Sequence, residues 1–284
     1  MSLEDKIAKS MEIISNAFSE HEPVQVWGML SGGYDSLVCT HLVAQSGLMD
    51  AATHLNTGIG IPQTRQYVRE TCKDYGWTLK EYRADEYVRR DGTPDPQIYE
   101  DLVVNQGFPG PPHHQKMFDR LKGRALNQAV REHKKDIHDR IMLCTGVRRD
   151  ESRRRSGIKD PVDRQGAKVW VNPILDWSKR DCREYMDRFD LPLSEVVELL
   201  CMSGECLCGA FAKPGELKKI ESCYPEVANR IKSIQKKCPF PWGWEDRQPG
   251  WYAKLKRGES FLPGMEPSDL DESMLCHDCK AKRK

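Results

Sequence analysis

Apolar side chains at Leu3, Ile7, Met11, Ile14 and Phe18 recur every three or four positions, the spacing of one helix face. Val24-Gln-Val-Trp-Gly-Met-Leu30 follows as a compact apolar run that enters a glycine turn, which reads as a buried strand. Leu37, Val38, His41, Leu42 and Val43 then predict a helix that stops at Gly47. The alternation continues with a strand at Ala51–Leu55, a helix opened by Pro62 and running to about Tyr75, and a strand at Thr78–Tyr82. A loop rich in Gly and Pro over residues 91–112 precedes a long polar helix over 113–134. Arg140–Thr145 predicts a fourth strand and Ala167–Val171 a fifth. The whole predicts an α/β fold, with a mostly parallel five-stranded sheet and helices on both faces.

Beyond residue 200 the pattern breaks into short helices and loops containing Pro and Trp. The expected organisation is an α/β nucleotide-binding domain over 1–200 and a Cys-rich C-terminal appendage over 201–284. The chain carries 44 basic and 43 acidic side chains, net +1, so no global field points to nucleic acid or to a membrane surface. No run approaches the roughly 18 to 20 apolar residues of a membrane span. The N-terminal Met1-Ser-Leu-Glu-Asp-Lys6 lacks the basic-then-apolar order of a secretory signal. A cytoplasmic protein is expected, and there its 11 cysteines do not read as a disulfide framework. Cys39, Cys72, Cys144 and Cys182 are scattered and read as small buried hydrophobes. The other seven fall between Cys201 and Cys279.

Candidate chemistry begins at Ser31-Gly32-Gly33-Tyr34-Asp35-Ser36. A strand that turns on two glycines into a helix offers close backbone approach, free N–H groups and the positive end of a helix dipole to a phosphate. Ser31 and Ser36 add hydroxyls, while Asp35 repels an anion unless it holds Mg²⁺ or orients the loop. No Gly-Lys-Ser/Thr follows, so this is not a Walker loop. Asn56, Thr57 and Gly58 lie at the end of the second strand, and Gly146, Arg148, Arg149, Arg153 and Arg154 follow the fourth. Ligands of open α/β sheets sit at the carboxyl ends of strands, so the three segments are expected to converge. Arg148 is the first candidate for a bidentate phosphate or sulfate contact, with Arg153 and Arg154 in reserve.

Cys201, Cys206 and Cys208, with Gly204 and Gly209 among them, are followed by Cys223, Cys238, Cys276 and Cys279. Such spacing suits an iron–sulfur cluster, a zinc site in which Cys276 and Cys279 fold back onto Cys206 and Cys208, or free structural thiols. Trp242, Trp244, Trp251 and Tyr252 sit near Lys254, Lys256 and Arg257; they either stack bases or close the appendage over the core. The basic tail from Lys280 reads as a solvated end.

SGGYDS, LNTGIGIPQT, TGVRRDESRRR and Val171–Trp177 resemble, in order and spacing, the phosphoadenylyl-sulfate (PAPS) reductase family. That family belongs to the PP-loop superfamily of adenine nucleotide α-hydrolase-like folds. The resemblance implies ATP or a PAPS-like adenine nucleotide, with Ser31 to Ser36 on phosphate or sulfate. It also implies Asn56 and Thr57 beside the adenosine, and Arg148 and Arg153 at the anionic end. Asp35 and Arg148 are the expected catalytic pair. Two departures matter. The Glu-Cys-Gly-type nucleophile of true reductases has no evident counterpart, and His113-His114 stands where cluster-bearing relatives carry a cysteine pair. Adjacent helical residues point about 100° apart, so one site using both histidines is not expected. By resemblance to cluster-bearing members, a [4Fe-4S] cluster on Cys201, Cys206, Cys208 and Cys223 is expected, with zinc as the alternative. The expected function is sulfur transfer or activation at the ATP α-phosphate, towards a nucleic-acid or sulfur-carrier acceptor. A genuine sulfonucleotide reductase and a non-catalytic nucleotide-binding or nucleic-acid-associated module remain as alternatives.

Overall fold

The structure, a computed structural model, describes residues 2–240 and 242–245, apart from the side chains of Arg153 and Arg154. Cys276, Cys279, Trp251, Tyr252, Lys254, Lys256, Arg257 and the tail from Lys280 lie outside the described residues. In chain order the elements are α1 (Leu3–His21), β1 (Gln25–Met29), α2 (Tyr34–Gln45), β2 (Ala51–Asn56), α3 (Pro62–Asp74) and β3 (Leu79–Arg83). There follow α4 (Tyr99–Gln106), α5 (His114–Phe118), α6 (Arg124–His133), β4 (Ile141–Cys144) and α7 (Arg153–Ser156). The chain then forms β5 (Val162–Gln165), β6 (Lys168–Val171), α8 (Lys179–Arg188), α9 (Glu195–Leu200), α10 (Glu216–Cys223) and α11 (Pro225–Lys237).

One six-stranded sheet runs in the order β3-β2-β1-β4-β6-β5. Every pairing is parallel except β5 with β6. The expected five strands are present, and β5 is an added antiparallel edge. Its residues Val-Asp-Arg-Gln are mostly exposed, so it carries no apolar alternation to reveal it. The expected long helix over 113–134 is present from His114 to His133, and a π-helical segment at Asp119–Gly123 joins α5 to α6 within it.

Alternate residues of the central strands feed two cores, as a side-chain period of two requires. Val26 of β1, with Met142 and Cys144 of β4, joins α1, α2, α3 and α8 on one face. Trp27, Ile141 and Leu143 point to the other face, against Leu126, Ala129 and Val130 of α6. A further core lies off the carboxyl ends of the strands. There Ile59, Ile61, Tyr99 and Leu121 pack with Val196, Leu200, Leu207, Ile231 and Trp244. Residues after 200 therefore share a core with segments from the middle of the chain. Among the described residues no helix is long and apolar enough to cross a membrane.

Trp27 is fully buried with its ring edge-on to His133, centroids 5.1 Å apart. Trp27→Ala is expected to cost about 3–5 kcal/mol through lost burial and the cavity left behind. Urea unfolding measures this, and a cost below about 1 kcal/mol would mean that α6 does not seal this face.

Candidate functional site at the carboxyl edge of the sheet

β1 delivers Leu30 into the turn Ser31-Gly32-Gly33, and Gly33 caps α2 without a side-chain hydrogen bond. Gly32 has φ +82°, a left-handed conformation that glycine adopts without steric cost. A β-carbon there would meet the Thr64 methyl at 2.5 Å. The Ser36 hydroxyl closes the turn, accepting from the Ser31 N–H at 3.1 Å and donating to the Gly33 carbonyl at 2.7 Å. The Ser31 hydroxyl lies 3.1 Å from that of Ser36. The first turn of α2 thus presents its amides and two hydroxyls in a preformed bend, the arrangement that suits an oxyanion.

The loop after β4 locks onto this turn. Arg148 Nε donates to Asp35 Oδ1 at 2.7 Å, and Nη2 donates to Asp35 Oδ2 at 3.1 Å and to the Tyr34 hydroxyl at 3.2 Å. Arg148 is only 1% exposed. Gly146 touches the backbone of Asp35 and Ser36 so closely that any side chain would collide. The guanidinium expected to clamp an anion is therefore committed to Asp35, in a strong bidentate geometry. Both Asp35 oxygens face Arg148, so the carboxylate braces the loop. Arg149 points away, with Nε donating to the Ile158 carbonyl at 2.7 Å and a salt bridge to Asp176.

A buried carboxylate that the sequence reading passed over joins the loop after β2 to the cysteine segment. Glu205 is 1% exposed, and its Oε1 accepts the Thr57 N–H at 2.8 Å. The Thr57 hydroxyl donates to the Glu205 carbonyl at 2.6 Å. Glu205 Oε2 lies 3.1 Å from His54 Nε2, while His54 Nδ1 donates to the Leu30 carbonyl at 2.8 Å. Leu30 immediately precedes the phosphate turn, so one buried pair connects β1, β2 and the residue before Cys206. Backbone contacts complete the seam: Ile61 N–H donates to Gly204 O at 2.8 Å, and Thr64 Oγ1 to Ser203 O at 2.6 Å. A side chain on Gly60 would collide with the Glu205 backbone. Asn56 donates to Glu81 at 2.7 Å and accepts from the Gly58 N–H at 2.9 Å. Asn56 and Thr57 are both buried in these braces.

These loops enclose a cleft of about 830 Å³ whose lining includes Ser31, Gly33, Asp35, Ser36 and Gly146 on one side and Cys201, Cys206 and Cys208 on another. Gly32, Asn56, Thr57, Arg148 and Cys223 do not line it. The Cys206 thiol is exposed to the cleft, and Cys208 is buried behind it. A hydrogen bond from Cys208 and the nearby Lys122 ammonium hold the Cys206 thiol down at about 6, whereas the same bond and burial push Cys208 up. By contrast, burial raises the Cys39, Cys144 and Cys182 thiols, in keeping with inert core cysteines. Cys201 caps α9 with φ +57°. Cys223 ends α10 and packs against the core off the strand ends. Among the described residues no group of three or more His, Cys, Asp or Glu side chains is arranged to hold a metal ion. The four cysteines expected as cluster ligands are thus not brought together. His114 lines the cleft beside Phe211, ring centroids 4.7 Å apart. Trp242 and Trp244 donate from their indoles to the Phe108 and Leu207 carbonyls at 3.0 and 2.8 Å, a packing role.

The profile of the phosphoadenosine phosphosulfate reductase domain matches residues 25–203, a span that carries all three strand-end loops. A phosphoadenosine 5'-phosphosulfate reductase of Synechocystis sp. is 48% identical over 52 residues, covering 18% of this chain and 20% of that protein. One of Vibrio vulnificus is 26% identical over 161 residues, 57% of each chain. The chain thus spans well under two thirds of the length of either relative. A solved phosphoadenylyl-sulfate reductase of Candida auris, a phosphate complex, is 15% identical with a TM-score of 0.48, covering 67% of this chain and 84% of that one.

Removing a buried acceptor strands the donors that it holds. Glu205→Ala is expected to cost about 1–3 kcal/mol, with Glu205→Gln costing less because the amide oxygen still accepts from Thr57. Chemical denaturation of both variants checks this, and equal costs for the two would mean that the hydrogen bond to Thr57 has no structural role.

Proposed function

The chain belongs to the phosphoadenosine phosphosulfate reductase domain family, and from that membership and the cleft we propose an enzyme that binds an adenine nucleotide and acts in sulfur transfer. The observation that carries this reading is the shared cleft: the phosphate turn and an exposed, acidic thiol face the same space. A nucleotide whose phosphates rest on the Ser31–Ser36 turn would have its reacting end near Cys206. The α2 amides and the Ser31 and Ser36 hydroxyls would stabilise charge developing on the departing phosphate. Arg148 would act through Asp35, holding the turn in shape, and the apolar rims of the cleft would exclude water.

In the first version the nucleotide is ATP, activated at its α-phosphate, and the acceptor is a nucleic acid or a sulfur carrier. The cysteine segment would carry sulfur, or hold a [4Fe-4S] cluster or zinc through Cys201, Cys206 and Cys208. The fourth ligand would be Cys223, after movement of α10, or one of Cys276 and Cys279. Among the described residues the thiols do not form a ready ligand set.

A second version is favoured by Cys206 itself. In a sulfonucleotide reductase its thiolate attacks the sulfonate sulfur; the sulfur–oxygen bond to the nucleotide breaks, and the nucleotide leaves as a phosphate anion. Cys208, buried two residues along the chain, then attacks Cys206. Sulfite departs, and the resulting disulfide is returned to two thiols by an external dithiol.

Anaerobically purified protein tests the versions together. Pyrophosphate release from ATP with acceptor, together with bound iron or zinc, supports the first. Sulfite release from phosphoadenylyl sulfate and dithiothreitol, without metal, supports the second. Nucleotide binding with neither product would leave a binding module, and absence of nucleotide binding would overturn the proposal.

The acidic thiol makes a separate pH prediction. The thiolate is the reacting form, so Cys206 alkylation should rise with pH through about 6, well below the ~8.5 of an ordinary cysteine. The Cys208→Ala variant should move that inflection upward. An inflection near the ordinary value in the wild type would remove the argument for a nucleophile.

A further inference from the structure

Among the described residues, the lysine and arginine side chains that line the cleft are Arg155 and Lys122. Arg155 is bound to Glu151, while Arg148 and Arg149, which do not line it, are bound to Asp35 and Asp176. Lys122 differs. It lines the same cleft as Cys206 and Cys208, and it makes neither an ion pair nor a hydrogen bond among the described residues. Its placement has a structural cause. It sits in the π-helical turn Asp119–Gly123 between α5 and α6, the kind of irregularity that recurs at functional sites because it re-aims side chains. Leu121 in that turn is buried in the core off the strand ends, and the next residue, Lys122, opens onto the cleft. Its charge acts on both thiols of the cysteine loop.

An ammonium at a partly enclosed wall, without a carboxylate to neutralise it, attracts anions more strongly than one free in water. The phosphate turn is formed by other loops, those after β1 and β4. The cleft therefore has a second anion-attracting feature, distinct from the turn and adjacent to the reactive sulfur.

We propose that Lys122 and the mouth of the Cys206–Cys208 loop form a subsite for a small sulfur-bearing oxyanion, held beside Cys206 while the nucleotide occupies the phosphate turn. This deepens the sulfur-transfer reading and rests on it for its biological meaning, although the subsite is testable without any turnover. The ligand class follows from the surroundings. One mobile ammonium without a planar fork suits a compact, non-planar anion, and the neighbouring polarisable thiols suit sulfur. Such a species would enter as donor or leave as product.

The probe is inorganic thiosulfate, titrated calorimetrically into the full-length protein with and without ATP. The variants are Lys122→Gln, Lys122→Arg and, as a control, Lys116→Gln, an exposed lysine of α5 that does not line the cleft. Thiosulfate affinity should fall at least about tenfold in Lys122→Gln, remain within about twofold of wild type in Lys122→Arg, and be unchanged in Lys116→Gln. A second readout compares Cys206 alkylation by anionic iodoacetate and neutral iodoacetamide. The ratio should drop about fivefold in Lys122→Gln alone, an effect that a merely structural lysine would not produce. If a metal shields Cys206 from alkylation, the titration decides by itself. Lys122→Gln that matches wild type in thiosulfate affinity overturns the subsite. ATP affinity, measured in the same variants, keeps the two claims apart. Loss of thiosulfate binding with ATP binding intact supports the subsite, and a wild type that binds thiosulfate but no nucleotide sinks the proposed function instead.

Discussion

Everything about this site depends on a carboxylate taken out of water. Glu205 sits 1% exposed between the Thr57 amide and the His54 imidazole, and burying such a group is costly unless its partners are in place. They are in place only when the loop after β2, the end of β1 and the cysteine segment meet in one geometry. The pair therefore works as a registration device. It sets how far Cys206 stands from the phosphate turn, because Leu30 accepts from His54 and Glu205 directly precedes Cys206. The glycines serve the same constraint. Gly60 and Gly146 are places where two loops touch backbone to backbone, and a single β-carbon would separate them.

A second buried pair, Asp35 with Arg148, performs the parallel task between α2 and the loop after β4. Together the two pairs tie the loops at the carboxyl edge of the sheet to one another. Preorganised donors do not have to be reoriented as charge develops in a reaction. The arginine nearest the turn is thus committed to Asp35, and Lys122, which makes no ion pair or hydrogen bond among the described residues, lines the cleft from a different wall.

What could be read in the sequence follows from what is local. The central strands were legible because Val24–Leu30 and Arg140–Thr145 are apolar runs bounded by turns, and the glycine turn into α2 was legible because Ser31–Ser36 is contiguous. β5 was not, since an exposed edge strand of Val-Asp-Arg-Gln needs no apolar alternation. The partnership of Asp35 with Arg148 and that of Thr57 with Glu205 join residues more than 100 positions apart, and no periodicity encodes such pairs. Asn56 and Thr57 looked like ligand contacts because they end a strand, but they are buried in bracing hydrogen bonds. Cys223 looked like a companion of the other cysteines by composition alone; it ends α10, half-buried against the core off the strand ends, and does not line the cleft. Lys122 was hidden in a stretch read as one regular helix, which the π-helical turn interrupts.

The central claim is that the phosphate turn and the cysteine loop form one nucleotide-responsive cleft. Hydrogen–deuterium exchange of the full chain, with and without saturating ATP or phosphoadenylyl sulfate, tests it most directly. Amides of residues 31–36 and of residues 201–209 should slow together, at the nucleotide concentration where calorimetry shows binding. Protection of the turn with no change in the cysteine loop, under that same saturation, would contradict it.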